Sequence, residues 1–292
     1  MSIAARIRSK LSDQPSPPQV TGQWRSISLC LDEDAGEFFN VGVLFVYGQK
    51  VEVRMLDSFE RVKCLFDARV NPNDLARLLD DIESTIYHMG SDLPNELGNT
   101  IRLGPPLYAA GISAESVVDE FFADVVTLGR PKPGAHQYPF RYQSTPRIRS
   151  NVFDLMKERM HMQASRIIQE ERYVLPMRSG HRVEMDVPLL SASAAGTVVS
   201  GWYKSPLVVE NNLLQASADL NLIRSNSDRV AAISVLVPGK DSGLNAKEFN
   251  KLDSATQRQL DRIRLTGIEV LDAATTAELA DKTIGWWRER CA

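Results

Sequence analysis

The chain has 292 residues, of which 43% are hydrophobic and 24% charged, and its formal net charge is -3. This composition suits a globular protein with room for two domains and excludes a disordered chain or a disulfide scaffold. The slight negative net charge excludes nucleic-acid binding through a positive potential over the whole surface, but it is compatible with a local basic patch. Three cysteines without C-x-x-C spacing and no membrane-length apolar run predict a cytoplasmic protein without a cysteine zinc site.

The first half of the chain predicts an α+β domain with an antiparallel sheet. Polar and apolar residues alternate from Trp24, as along a half-buried strand, and Gly48 suits a tight turn between two later strands. Residues 1–20 are predicted to be an N-terminal tail and residues 21–128 the domain. The other elements expected in it are strands at Val41–Tyr47, Lys50–Met55 and Thr100–Leu103 and helices that begin near Asn73 and Ser113.

A proline-rich stretch, residues 129–148, divides the chain and is predicted to be a linker. Residues 149–292 predict an α/β domain whose mixed sheet is flanked by helices. The apolar run Val230–Val237 suits a central strand buried on both faces. The other elements expected here are helices at Ser150–Arg172, Asn211–Ile223, Ser254–Arg264 and around Trp286, and strands at Tyr173–Met177, Arg182–Leu189, Thr197–Tyr203 and Gly267–Leu271.

The motif Glu37-x-x-Asn40-x-Gly42 opens the second predicted strand. It is compatible with a catalytic signature, or with a structural role in which Glu37 or Asn40 hydrogen-bonds to backbone and Gly42 marks a bulge. Together with the hairpin and helix that follow, it resembles an uncharacterised bacterial family, the domain of unknown function 3037, over residues 20–130. That resemblance implies a setting near toxin–antitoxin or defence genes and no established activity.

The second half resembles the restriction-endonuclease-like group, PD-(D/E)xK, in the order of its elements. In that group a strand Asp and a Glu-x-Lys pair hold Mg²⁺ and activate water, because Mg²⁺ prefers hard oxygen ligands. Asp186 stands where the strand Asp is expected, with Glu184 on the same strand face and Lys204 as the nearby cation. Ser200 and Trp202 occupy the expected Glu and Lys positions. The resemblance therefore implies either a nuclease that uses Asp186, Glu184 and Lys204 with Mg²⁺, or a fold with degraded catalytic positions.

Basic residues follow the proline-rich stretch, interleaved with aromatic ones. Such a pattern is typical of surfaces that bind nucleic acid. The alternative is a solvated helix face on which neighbouring acidic residues balance the basic ones. Glu184 and Asp186, in the same way, are also compatible with a solvated strand edge. The pair Trp286-Trp287 predicts one buried ring and one exposed ring that anchors a protein partner. The candidate binding residues are Arg147, Arg149, Lys157 and Arg159.

These observations predict a non-enzymatic accessory or regulatory protein of a bacterial phage-defence, mobile-element or toxin–antitoxin system. We expect it to bind a protein partner in a larger complex, with nucleic acid as a further ligand, and to need neither a cofactor nor a membrane. The alternative is a Mg²⁺-dependent nuclease of the PD-(D/E)xK type. The sequence contains no phosphate-binding glycine loop and no serine nucleophile elbow, so ATP, NAD and serine-hydrolase functions have no support.

Overall fold

A computed structural model describes residues 17–66, 69–130, 140–169, 171–176 and 181–290. The chain forms two compact units. The first contains Met1–Val70 and Thr85–Pro133, and the second contains Asn71–Ser84 and Gly134–Ala292. Within the described residues, no helix combines the length and the apolar character needed to cross a membrane.

The first unit is built on an antiparallel sheet, as predicted. The strands follow the order β3-β2-β1-β5-β4, and β6 pairs with the first part of the long strand β1. Helix α3 packs on β2 and β3. The strands are β1 (Val20–Asp32), β2 (Glu37–Tyr47), β3 (Lys50–Met55), β4 (Glu96–Gly98), β5 (Ile101–Leu103) and β6 (Leu107–Gly111), and the helices are α1 (Glu60–Phe66), α2 (Pro72–Met89), which extends into the second unit, and α3 (Ala114–Val125).

The Glu37-Asn40-Gly42 motif forms a bulge in β2. Ile27 of β1 pairs with Gly42 and Ser28 pairs with Asn40, so Val41 is the extra residue. A Cβ on Gly42 would lie 2.5 Å from the sulfur of Met55, so any larger residue at this position would clash with that side chain. The Asn40 amide donates to the carbonyl of Val125 and its oxygen accepts from the hydroxyl of Ser28. Asn40 and Gly42 therefore shape the sheet, and Glu37 is exposed at its rim.

The second unit is a mixed sheet with helices on both faces, also as predicted. Strands β10, β11 and β12 are parallel neighbours, and β9 pairs antiparallel to β10 at the edge. Strands β7 and β8 form a separate two-stranded hairpin. The strands are β7 (Tyr173–Pro176), β8 (Arg182–Met185), β9 (Leu189–Leu190), β10 (Ala194–Ser200), β11 (Val230–Leu236) and β12 (Glu269–Ala273), and the helices are α4 (Thr145–Met160), α5 (Met162–Ile167), α6 (Pro206–Asn226), α7 (Ala246–Leu265) and α8 (Thr276–Arg290).

Alternate residues of the central strands enter two different cores. Ala195 and Val199 of β10 pack in a cluster with helices α6 and α7. Ala194 and Val198 of the same strand pack in a second cluster with α4, α5 and α8. Because successive strand side chains point to opposite faces, the two groups of helices cover opposite faces of the sheet. This arrangement explains why the run Val230–Val237 is apolar at almost every position.

The predicted helix Ser150–Arg172 is wrong in its start and its continuity. Helix α4 begins at Thr145, because Ser144 caps it and Pro146 is tolerated in a first turn that needs no proline N–H. The chain then turns at His161, whose φ of 50° breaks the helix, and α5 ends at Ile167. The last four residues of the predicted linker 129–148 therefore belong to α4, and residues 131–139 lie outside the described part of the chain.

The predicted strand Arg182–Leu189 is also interrupted. Residues 186–188 separate β8 from β9, because Pro188 has no N–H to donate to a strand ladder. Asp186 consequently lies in a loop after β8. Strand β10 begins at Ala194, three residues earlier than predicted, and ends at Ser200.

Residues 71–84 depart from the predicted division of the chain into 21–128 and 149–292. They lie in the first half of the sequence but group with the second unit. Of the predicted N-terminal tail, residues 1–16 lie outside the described part, and Val20 already begins β1. The second unit is thus assembled from two separate stretches of the chain.

Candidate anion-binding site

Asp186, the predicted catalytic carboxylate, is held by an arginine. The guanidinium of Arg149 lies 2.7 Å from its Oδ1, and the same side chain donates to the Val198 carbonyl at 2.9 Å and the Thr197 hydroxyl at 3.0 Å. The Asp186 N–H in turn donates to a carboxylate oxygen of Asp219 at 3.1 Å. Arg149, a predicted nucleic-acid contact, is therefore turned towards the sheet and joins α4 to β10.

The other predicted nuclease residues do not join Asp186. Glu184 is exposed on β8, and Lys204 forms an ion pair with Glu248 at 3.5 Å. Glu170 and Glu171 are further candidate carboxylates, expected at the end of the predicted helix Ser150–Arg172; Glu171 is exposed and Glu170 lies outside the described residues. Across the described part of the chain, three or more His, Cys, Asp or Glu side chains never gather closely enough to hold a metal ion.

The start of α4 is fixed by a buried polar network that the sequence did not reveal. Glu83 of α2 accepts hydrogen bonds from the hydroxyls of Tyr142 and Ser144, each at 2.6 Å. Asp80, one turn earlier, accepts from the hydroxyl of Tyr203 at 2.6 Å. Glu83 and Ser144 are both buried, at 1% and 0% exposure. We call these five residues the Glu83 network.

Burial changes the acidity of this network. It raises the pKa of Glu83 to about 8, against the smaller opposing effect of the two hydroxyl hydrogen bonds. Burial also raises the pKa of Asp80, and the pKa of the Tyr203 phenol lies well above its usual value. Arg147, another predicted nucleic-acid contact, lies at this end of α4, and its charge acts on Glu83. The network is closed to a large ligand, since its central groups are buried.

The opposite end of α4 opens onto a pocket of about 650 Å³. The pocket lies where α5, the turn before β10 and the end of α8 meet. We call it the arginine pocket. Its described lining is Met160, Gln163, Arg166, Ile167, Ser191, Ala192, Ser193, Trp287, Arg288 and Arg290. Three arginines and no acid occur in this lining, so a bound anion would meet positive charge on several sides.

The arginines of the pocket differ in how far their charge is already neutralised. Arg290 forms an ion pair with Glu269 at 2.9 Å and stacks over the ring of Trp286. Arg288 donates to the carbonyl of Arg159 at 3.1 Å, and Arg166 is exposed. Among the described residues, neither Arg166 nor Arg288 has a carboxylate within ion-pair distance. These two side chains therefore supply most of the available positive charge.

Two of the predicted binding residues lie near this end of α4. Lys157 is exposed in its last turn, and Arg159 forms an ion pair with Asp281 of α8. The predicted exposed tryptophan is wrong: Trp286 and Trp287 are 4% and 1% exposed. Trp287 instead packs near Gly196 of β10 and contributes an apolar wall to the pocket.

Comparisons of the chain with known protein families, with curated proteins and with solved structures find no match. The two family resemblances therefore stay predictions, and the function has to be argued from the site.

Sequence reasoning missed the arginine pocket because its parts are far apart in the chain. Gln163 and Arg166, Ser191 to Ser193, and Arg288 and Arg290 come from three segments with no shared motif. The available signal was weak: Arg166 continued the basic pattern of α4, and Arg288 and Arg290 flanked the tryptophan pair. Only the packing of α5 and α8 beside the turn that precedes β10 brings them together.

Proposed function

We propose that this protein is a non-enzymatic binding component that holds a phosphate-bearing ligand, a nucleic acid, in the arginine pocket. The observation that carries the proposal is the pair Arg166 and Arg288, which line a concave pocket without an acidic partner among the described residues. Guanidinium groups match the geometry of phosphate oxygens and keep their charge at any physiological pH.

The rest of the lining also suits such a ligand. Ser191, Ser193 and Gln163 offer uncharged hydrogen-bonding groups, while Met160 and Ile167 offer apolar surface. Ligand pockets commonly combine an apolar wall with a few polar groups that fix orientation. A role as an accessory subunit of a bacterial defence or toxin–antitoxin complex, with a protein partner, is part of this proposal and rests on the sequence.

The nuclease alternative has less support from the side-chain contacts. Its three residues are Asp186, which is engaged by Arg149, Lys204, which is engaged by Glu248, and Glu184, which is exposed. For Asp186 to bind Mg²⁺, its carboxylate would have to leave the arginine or share it. We therefore favour binding without cleavage.

Binding can be measured by fluorescence anisotropy with labelled single-stranded DNA, single-stranded RNA and duplex DNA. We expect the double variant Arg166→Gln, Arg288→Gln to weaken binding by about tenfold or more, because each lost charge-assisted contact is worth roughly 1.5–3 kcal/mol. We also expect wild-type affinity to fall as salt rises, and to fall less steeply in the variant.

The matched control is the double variant Arg258→Gln, Arg262→Gln on α7. It removes the same charge from the face of the sheet opposite the pocket, and Arg258 is exposed and has no hydrogen-bond or ion-pair partner in the described part of the chain. Equal losses in the control and the pocket variant would show a non-specific charge effect and contradict the proposed site. Binding to none of the three nucleic acids would contradict the proposed function itself.

A further inference from the structure

The charge distribution of the arginine pocket distinguishes between a terminal phosphate and the internal phosphates of a strand. This inference rests on the proposed function. A strand that passes over a protein needs a track of cations along its backbone. Here Arg290, the third arginine of the lining, is already paired with Glu269, and the neighbouring Arg159 is paired with Asp281. Within the described lining, the positive charge without a carboxylate partner thus lies on Arg166 and Arg288.

The turn before β10 adds donors to the same place. Within residues 191–194, the Ser191 N–H donates to the Ala194 carbonyl and the Ala194 N–H donates to the Ser191 hydroxyl. The N–H groups of Ala192 and Ser193 donate to no acceptor in the described chain, although both residues line the pocket. Backbone N–H groups in a turn beside arginines make an effective cradle for a phosphate.

The balance of charge favours a terminal phosphate over an internal one. A phosphomonoester carries about -1.5 to -2 charges at neutral pH, whereas a diester in a strand carries one. Two arginines without carboxylate partners match a dianion. The volume of about 650 Å³ lies within the range of pockets that enclose a small ligand, such as one nucleotide.

We infer that the arginine pocket binds the phosphorylated end of a nucleic-acid strand. Arg166 and Arg288 contact the phosphomonoester, and the N–H groups of Ala192 and Ser193 donate to its remaining oxygens. The terminal nucleotide lies in the pocket, and the rest of the strand leaves it.

The test compares strands of one sequence, about 12 nucleotides long, within the site sizes of single-strand binders. One strand carries a 5′-phosphate, one carries a 3′-phosphate and one carries neither. The fluorescent label of each phosphorylated strand is on the end without the phosphate, and the unphosphorylated strand is prepared with the label at either end. We expect one phosphorylated strand to bind at least about tenfold more tightly than the unphosphorylated strand, the effect of one additional charge-assisted contact. The variant Arg166→Gln, Arg288→Gln should lose that difference, while Arg258→Gln should keep it.

The outcomes separate this inference from the proposed function. Equal affinity for all three strands, still dependent on Arg166 and Arg288, would overturn the terminal-phosphate inference and leave the proposed function standing. No binding of any strand would overturn both. If adenosine 5′-monophosphate competes as strongly as the phosphorylated strand binds, the ligand is a free nucleotide and the inference of a strand end is overturned. Inorganic phosphate, as a second competitor, should act only at much higher concentration.

Discussion

Ionisable groups lie at both ends of helix α4, but they are buried at its start and exposed to solvent at its end. At its start, Glu83 is buried and accepts two short hydrogen bonds from Tyr142 and Ser144. At its end, Arg166 and Arg288 face an open pocket without carboxylate partners in the described chain. Burial raises the pKa of Glu83 and so favours its protonated form, whereas guanidinium groups are charged at physiological pH.

The difference indicates which end is available for function. Burying a charge costs several kcal/mol, so a buried acid must be neutralised or fully hydrogen-bonded, and the Glu83 network meets that demand within the protein. Exposed cations that no acid neutralises can instead gain an interaction from a ligand. We therefore expect the start of α4 to stabilise the second unit, and we propose its end as the place for recognition. Three changes test this contrast, at residues that contact the start, the middle and the end of α4.

The largest expected effect is on the pH dependence of stability. Because the pKa of Glu83 is raised from 4.5 to about 8, the folded state binds the proton more tightly than the unfolded state. Its stabilising contribution is present below pH 4.5 and is lost as the pH rises towards 8. We expect the free energy of unfolding to fall by on the order of 3 kcal/mol between pH 5 and pH 8. Urea denaturation at several pH values measures this loss.

The variant Glu83→Gln mimics the protonated acid and should flatten that profile. A weaker slope of the same sign should persist, because burial also raises the pKa of Asp80 and Asp219. The control Glu158→Gln changes an exposed carboxylate of α4 and should keep the wild-type profile. An unchanged slope in Glu83→Gln would show that Glu83 is ionised in the folded protein. It would contradict the contrast between a protonated acid at the start of α4 and charged arginines at its end.

A smaller effect is expected in the middle of α4. The variant Asp186→Ala leaves Arg149 with the Val198 carbonyl and the Thr197 hydroxyl but without its carboxylate. We expect a loss of about 1–2 kcal/mol in the free energy of unfolding, because Asp186 is half-exposed and water compensates in part. Asp186→Asn, which keeps an acceptor, should lose less.

The same pair of variants bears on the nuclease alternative. Wild-type protein incubated with plasmid and single-stranded nucleic acid in Mg²⁺ or Mn²⁺ is expected to leave both intact. Cleavage that disappears in Asp186→Ala, but survives in the control Glu158→Gln, which changes an exposed residue outside the predicted site, would make the chain an enzyme and Asp186 its catalytic residue.

The smallest effect is expected at the end of α4, and it is a gain. His161 has φ of 50° and ψ of -125°, a conformation that disfavours any residue with a Cβ. His161→Gly should raise the free energy of unfolding by about 1 kcal/mol, the strain less the extra freedom of glycine in the unfolded chain. His161→Ala should give no such gain. A loss of stability in His161→Gly would mean that the imidazole makes a contact that offsets the strain.

Local patterns in the sequence were enough for the class of both units and for most elements. Val230–Val237 identified the central strand, since a strand covered on both faces has to be apolar at successive positions. Gly42 and Asn40 indicated a bulge, because glycine at such a place reports a close backbone approach. Prolines misled in both directions: Pro146 begins a helix that was predicted to be linker, and Pro188 divides a strand that was predicted to be continuous.

The sequence by itself thus determined an antiparallel first sheet, a mixed second sheet with helices on both faces, and a basic α4. The partners of its charges were decided by the tertiary structure. Arg149 and Asp186 are 37 residues apart and Glu83 and Ser144 are 61 apart, while the arginine pocket gathers three distant segments. Periodicity reports which face of an element is buried, but whether a charge meets an acid, a carbonyl or open water depends on packing between elements.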